Sequence, residues 1–251
     1  MPAWNWARAS CRGVSHVKQG TRRQDALSCL SATPSTLIAV VADGAGSTSH
    51  GGEGASVTVR TIMCRALAHV RSTNCIPDDD AIWAWTDEVR DRLARAAAER
   101  SIDRKAFAAT LVGVISTGES TVVFHVGDGA AVGRNPATGA WEALSWPEHG
   151  EYASTTYFMT DDPGIRLRIR RIETTLNAVV VFSDGIERLA LSFADSAPHE
   201  PFFKGIVKAV EDSNATGCDL ELSQKLARYL DSPLINERTD DDKSLIIAVL
   251  K

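Results

Sequence analysis

The sequence predicts a mixed α/β (α+β) fold, and three observations carry that reading. Several apolar, β-branched stretches each abut an Asp. Two long segments repeat apolar residues at helical spacing. No Pro/Gly/Ser-rich linker, repeat or low-complexity tract divides the 251 residues, so one domain over 1–251 is expected.

The clearest stretch is Leu37-Ile-Ala-Val-Val-Ala-Asp-Gly-Ala-Gly-Ser47. Its run from Ile38 to Ala42 reads as a strand buried on both faces. The run ends in Asp43-Gly44, and a helical pattern begins at Gly51, so a carboxylate sits where a strand breaks into a glycine turn. A lone Asp-Gly is most simply a polar turn. This one has counterparts in Gly127-Asp128-Gly129, after the strand Thr121–Val126, and in Asp184-Gly185, after Ala178–Phe182.

The remaining elements follow in order. Trp4 to Val14 reads as a first strand, with a loop from His16 to Gly20. Arg22-Arg-Gln-Asp25 then leads into a short strand, Ala26 to Leu30. Ala55, Val59, Ile62, Met63, Ala66, Leu67 and Val70 form one helix face, with His69 on its polar side. Ile82, Trp85, Val89, Leu93 and Ala96 form a second. Ala108–Ser116 and Thr121–Val126 make a hairpin over Thr117-Gly118-Glu119.

Ala130–Gly133 and Trp141–Leu144 are short strands about the turn at 135–139. The irregular stretch 146–164 has the length of a binding loop and is read as a flap. Leu167 to Glu173 alternates as a half-exposed strand, with Arg166, Arg168, Arg170 and Arg171 on a solvated face. Helices near 203–210 and 220–230 precede the acidic run Asp240–Asp242 and a last buried strand.

Composition narrows the function. A net charge of −5 provides no basic footprint for nucleic acid or an anionic membrane. Five scattered cysteines without a Cys-x-x-Cys argue against a zinc site or disulfide framework. With no h-region and no membrane-length apolar run, a soluble, cytoplasmic and monomeric protein is expected.

Asp25, Asp43, Asp128, Asp184 and the 240–242 run all lie at predicted strand ends. If those ends converge, the like charges require cations among them. Oxygen-only ligands point to Mg²⁺ or Mn²⁺ rather than zinc. Two such ions can activate a water and neutralise charge on a phosphoryl group. No Ser, Cys or His is placed as an obvious nucleophile, so direct attack by metal-bound hydroxide fits better than a covalent intermediate.

Asp43-Gly-Ala-Gly46, Gly127-Asp128-Gly129, Ser183-Asp184-Gly185 and Asp241-Asp-Lys-Ser244, in that order, resemble the metal-dependent protein phosphatases of the PP2C (PPM) family. Gly13-Val-Ser-His16 and Gln24-Asp25-Ala26 add a likeness to a bacterial subgroup, the enterobacterial PphC type. The resemblance implies a four-layer α-β-β-α sandwich of two antiparallel sheets flanked by helices, and hydrolysis of phosphoserine and phosphothreonine. It implies two Mn²⁺ or Mg²⁺ ions bridged by Asp43, one of them also bound by the Gly44 carbonyl. Asp184 and Asp241, with Asp242 in reserve, complete one shell, Asp25 reaches the other ion through water, and Asp128 serves a weaker third. Catalysis then runs through Asp43 and Asp184 by way of metal-bound water.

Three departures stand out. Ala45 occupies the place of a His found in many members, leaving metal-bound water or His50 to protonate the leaving group. The phosphate-binding Arg falls on Gly20, with Arg22 and Arg23 as substitutes. Arg188 replaces a frequent Asp, with Glu187 adjacent. The expected partner is a phosphoprotein, and the subgroup's association with protein kinases suggests a Ser/Thr kinase or its targets. The competing reading is a non-catalytic, phosphatase-like regulatory or phosphoprotein-binding module.

Overall fold

The structure, a computed structural model, describes residues 2–150 and 156–251. In chain order it begins with β1 (Trp4–Cys11), α1 (Val14–Gln19), β2 (Ala26–Thr33) and β3 (Thr36–Ala42). Two long helices follow, α2 (Gly51–Thr73) and α3 (Asp79–Glu99), then a 3-10 turn at Arg104–Phe107. Next come β4 (Leu111–Ser116), β5 (Thr121–Val126), β6 (Ala130–Arg134), β7 (Trp141–Ser145), β8 (Arg168–Ile172) and β9 (Ala178–Phe182). After α4 (Asp184–Ala190) the two-residue strands β10 (Leu191–Ser192) and β11 (Ala197–Pro198) form a small hairpin. The remainder is α5 (Glu200–Asp212), β12 (Gly217–Cys218), α6 (Leu220–Leu230), α7 (Pro233–Asn236) and β13 (Lys243–Leu250).

Strands apolar on both faces need cover on both, and two sheets packed together supply half of it. One sheet has the order β2-β3-β4-β5-β8, antiparallel throughout; the other has β12-β1-β13-β9-β6-β7, antiparallel except for the short β1–β12 pair. Alternate residues of each strand face different cores, as the two-residue period of a pleat requires. In β3, Leu37, Ala39 and Val41 pack between the sheets, while Ile38, Val40 and Ala42 meet the α2 and α3 faces. In β13, Ile246 and Ala248 face the inter-sheet core, while Leu245, Ile247 and Val249 pack with α4, α5 and α6. The result is the four-layer α-β-β-α sandwich.

The structure corrects several local expectations. His16 to Gly20 is not a loop: it belongs to α1, a helix too short for periodicity to reveal, closed by Gly20 at φ 72°. The stub α7 was unreadable for the same reason. His69 is half-buried, its ring edge-on to Trp85 at 5.8 Å between centroids. The arginines on and beside β8 do form an exposed face, Arg166, Arg170 and Arg171 being exposed, but each also has a partner that the sequence did not indicate. Arg166 and Arg168 pair with Glu148, Arg170 donates to the Ala143 carbonyl, and Arg171 pairs with Asp79. Part of the expected 146–164 flap, residues 151–155, lies outside the described residues.

Candidate metal centre

The two sheets bring their strand ends together at one edge of the sandwich. Asp25 immediately precedes β2 and Asp43 follows β3 in one sheet; Asp184 follows β9 and Asp241 precedes β13 in the other; Asp128 lies where the chain crosses from β5 of the first to β6 of the second. The carboxyl groups of Asp25 and Asp43 lie within hydrogen-bonding reach of each other. Asp43 also feels the charges of Asp184 and Asp241, and Asp184 those of Asp128, Asp241 and Asp25. The candidate carboxylates therefore lie near enough to feel one another's charge, although the ligand atoms that stand within 4.8 Å of one another among the described residues are those of His16, Asp241 and Asp242. The group borders a cleft of about 210 Å³ lined by Asp184, Glu187, Arg188, Arg238 and Asp241.

The backbone around each side chain is fixed. The Asp43 amide donates to Thr110 Oγ1 at 2.9 Å, and its carbonyl accepts from the Thr110 amide at 2.8 Å. Asp25 is 4% exposed and accepts from Ser183 Oγ at 2.8 Å, while the same Ser183 oxygen accepts from the Ser244 amide at 3.0 Å. Ser183 thus ties the Asp25 side chain of one sheet to β9 and β13 of the other. Close approach explains two of the glycines. A Cβ on Gly44 would lie 2.1 Å from the Gly51 carbonyl carbon, and one on Gly185 would lie 2.0 Å from the Asp242 carbonyl oxygen.

Asp241 and Asp242 differ sharply in environment. Asp241 borders the cleft, whereas Asp242 is 1% exposed and turned inward. Asp242 Oδ1 accepts from the Gly13 amide at 2.6 Å and lies 2.9 Å from His16 Nδ1. Its Oδ2 accepts from the Gln24 amide at 2.5 Å and, more weakly, from the Asp25 amide at 3.4 Å. His16, Asp241 and Asp242 also offer one ligand atom each within 4.8 Å of one another. Both Asp242 oxygens are nevertheless already committed to protein donors.

Burial and mutual repulsion dominate the electrostatics. Burial, then the charges of Asp184 and Asp25, pushes the Asp43 carboxyl well above the ordinary range. Asp184 is raised by burial and then by Asp128 and Asp241. Asp25 is raised to about 6, chiefly by burial, with its hydrogen bonds to Asp43, Ser244 and Ser183 opposing the shift. Burial also raises Asp128 and Glu187. Asp25 Oδ1, Asp128 Oδ1, Asp184 Oδ1 and Glu187 Oε2 are buried and find no hydrogen-bond partner among the described residues. Unpartnered carboxylate oxygens are costly. Hard divalent cations, which take oxygen ligands, fit this donor set.

The remaining candidates lie to one side. Arg22, Arg23, Gly46 and His50 border a polar cleft of about 490 Å³. Arg22 is exposed, whereas Arg23 donates to the Ser10 carbonyl at 2.8 Å and the Asp25 carbonyl at 3.2 Å. His50 is held by Ser49 Oγ at 2.8 Å and packs on Phe107.

Two participants escaped the sequence reading. Glu187 follows Asp184 by three residues, which places both on one helix face, and that spacing was legible. His16 belongs to the Gly13–His16 likeness, but its role carried no local signal because its partner Asp242 lies 226 residues away.

Known proteins share this chain's sequence pattern and fold. Residues 12–231 match the sequence profile described as "Protein phosphatase 2C". The chain is 35% identical to serine/threonine-protein phosphatase 3 of Escherichia coli (strain K12), over 98% of each chain. The fold is similar to that of the serine/threonine phosphatase Stp1 from Staphylococcus aureus, with a TM-score of 0.64 at 16% identity, covering 98% of this chain and 94% of the other. It is also similar to the catalytic domain of the serine/threonine protein phosphatase PstP in complex with two manganese ions. That TM-score is 0.64 at 15% identity, over 100% and 99% of the two chains. From its sequence match, its close relative and its four-layer fold, the chain belongs to the protein phosphatase 2C family.

Proposed function

We propose that the chain is a metal-dependent protein serine/threonine phosphatase whose ions are held by the carboxylates at the sheet edge. Asp43 would bridge two Mn²⁺ or Mg²⁺ ions with help from the Gly44 carbonyl. Asp184 and Asp241 would complete one shell, Asp25 would serve the other through water, and Asp128 would hold a weaker third ion. Bound there, the ions would supply Lewis acidity toward a phosphoryl group and acidify water. The observation that carries the reading is the set of buried carboxylate oxygens from both sheets without protein partners.

The chain's own residues orient this centre. Thr110 fixes the backbone of Asp43, Ser183 fixes the side chain of Asp25, and Asp242 anchors the segment leading into Asp25. Asp241 is favoured over Asp242 as a ligand because both Asp242 oxygens already accept hydrogen bonds. Arg22, exposed beside Gly46, is the better placed of the two arginines to meet a substrate phosphate, since Arg23 is spent on backbone carbonyls. Ala45 offers no proton to the leaving group; His50 borders the same cleft as Arg22 and is the side-chain candidate.

The test is hydrolysis of p-nitrophenyl phosphate and a phosphothreonine peptide during a Mn²⁺ titration. Turnover that needs Mn²⁺, stops with EDTA and is lost in Asp43→Asn and Asp184→Asn is expected. Calorimetric Mn²⁺ binding without turnover on any phosphoester would instead select a non-catalytic, phosphatase-like module. The physiological substrate proposed is a Ser/Thr kinase or its targets. Dephosphorylation of a kinase encoded beside this protein would support that assignment.

A further inference from the structure

Lys243 opens β13 and is fully buried, yet nothing in the proposed chemistry uses it. The two-residue period of the strand sets it on the face of Leu245, Ile247 and Val249, which pack with α4, α5 and α6. Its stem passes α4, with Cγ 3.5 Å from where a Cβ on Gly185 would stand. An apolar side chain would fill such a place, and burying an ammonium is costly without specific partners. Among the described residues the head of Lys243 has one hydrogen-bond partner and no ion pair: Nζ donates to Asn236 Oδ1 at 2.8 Å. Nor does its charge answer that of the acidic cluster. Burial and neighbouring carboxylates set the shifts of Asp43 and Asp184, whereas Lys243 is felt at Cys11, its neighbour across β1, whose thiol burial pushes up.

What the bond to Asn236 does is close a loop. Asn236 ends α7, and Lys243 reaches back seven residues to it. The Arg238 and Thr239 amides both donate to the Ile235 carbonyl, at 2.9 and 3.1 Å, and the Asn236 side chain donates to the Asp231 carbonyl at 3.0 Å. Asp240, Asp241 and Asp242 occupy the far side of the loop. One flank is pinned by α1, since the Asp240 carbonyl accepts from the Ser15 amide at 2.9 Å and from Ser15 Oγ at 2.7 Å. The other flank is α7, which Ile235 anchors in the helical core and Lys243 ties to the strand. Asp241 borders the cleft between these two anchors. Its Oδ1 accepts from the Asp242 amide at 2.7 Å, a bond within the same turn that does not fix where the turn stands.

We propose that Lys243 is a positioning residue for the metal centre: its bond to Asn236 fixes the turn from α7 to β13 so that Asp241 faces the cation site. The proposal rests on the phosphatase reading, which makes Asp241 a ligand, and adds to it the residue that places that ligand. Lys243 touches neither substrate nor ion; it acts through the backbone that carries Asp241. Groups that orient metal ligands weigh nearly as much in metal affinity as the ligands themselves.

The experiment compares the full chain with Lys243→Met, Asn236→Ala, the double variant and Cys11→Ala. Cys11 faces Lys243 on β1 but lies outside the loop, so Cys11→Ala reports what a change in packing does by itself. Mn²⁺ binding is read by calorimetry well below the melting temperature. Amide exchange is read in metal-free protein by mass spectrometry of the peptide containing 236–239. Lys243→Met and Asn236→Ala are each expected to bind Mn²⁺ roughly tenfold more weakly, and the double variant no more weakly than either, because all three lose the same bond. Exchange at 236–239 should quicken about tenfold in the same three variants, with α2 unchanged. Cys11→Ala should move neither reading.

Unchanged Mn²⁺ affinity or unchanged exchange in Lys243→Met overturns the tether and spares the phosphatase. Tighter binding in that variant would make the charge of Lys243, not its bond, the operative feature, and an equal loss in Cys11→Ala would make the effect one of packing; either overturns the proposal. Losses that multiply in the double variant would show two side chains acting separately and overturn it as well. Weaker Mn²⁺ binding and faster exchange in a chain that turns over no phosphoester would keep the tether and overturn the phosphatase. A wild-type chain that takes up no Mn²⁺ removes the metal centre and the role of Lys243 with it.

Discussion

His16 Nδ1 lies 2.9 Å from Asp242 Oδ1, and that contact holds α1 against the start of β13. Asp242 is buried beside the cleft-lining Asp241. A carboxylate there accepts at both oxygens: Gly13 and His16 at one, Gln24 and Asp25 at the other. An Asn has only one accepting oxygen. Asp242→Ala strands a buried imidazole and three amides and is expected to cost about 3 kcal/mol. For a chain of this length that is a fall of roughly 6–12 °C in melting temperature, read by thermal denaturation. Asp242→Asn should fall between this variant and the wild type.

Removing a central carboxylate should separate stability from activity. In metal-free protein the cluster repels itself, so Asp43→Asn and Asp184→Asn relieve like charge at a buried site. With EDTA present, each variant is expected to melt higher than the wild type, on the order of 1 kcal/mol more stable. With Mn²⁺, both should lose at least about a hundredfold in phosphoester turnover, the scale of losing charge stabilisation at a reacting centre. A variant that loses both stability and activity would contradict the electrostatic account.

The same carboxylates set a pH dependence. Asp25, Asp43 and Asp184 bind protons more tightly in the folded chain than an ordinary carboxyl at 3.8, Asp25 holding its proton up to about 6. Stability from this source is complete below the unfolded value and is lost as pH rises through the folded ones. Metal-free protein should therefore lose this contribution from about pH 4 upward through pH 6 and beyond. Because cations compete with those protons, the stabilisation by Mn²⁺ should grow across the same interval. Melting curves with Mn²⁺ and with EDTA at several pH values measure the difference directly, cancelling groups remote from the site.

Gly185 offers a steric test. A Cβ there would lie 2.0 Å from the Asp242 carbonyl oxygen, a contact that only backbone movement relieves. Gly185→Ala is expected to cost about 1–3 kcal/mol, as overpacking does. It should also separate Asp184 from Asp241, raising the Mn²⁺ concentration for half-maximal activity at least about tenfold, since small misplacements at reacting centres are costly. Unchanged metal affinity would show that α4 and β13 move together.

Much of this is legible in the sequence, for a physical reason. A strand buried on both faces is written as an uninterrupted apolar run, so β3, β9 and β13 were visible, and with them the Asp residues at their ends. What could not be read was anything depending on long-range pairing. His16 looked like a loop residue because α1 spans six residues, less than two turns. The arginines near β8 are exposed as the alternation indicates, but their partners, Glu148 and Asp79, are set by the packing of distant segments and could not be read. Asp241 and Asp242 could be ranked only through the family resemblance; their different environments appear in the burial of the second and the cleft position of the first.

The division of the carboxylates between sheets has a consequence for residues far from them. Asp25 and Asp43 are carried by one layer, Asp184 and Asp241 by the other, and Leu37, Val41, Val181 and Ile246 fill the space between. The thickness of that apolar filling sets how far apart the two groups of ligands stand. Trimming a methyl group there would be felt first as weakened grip on manganese, well before the sandwich came apart, so metal affinity is a gauge of how tightly the two sheets are pressed together.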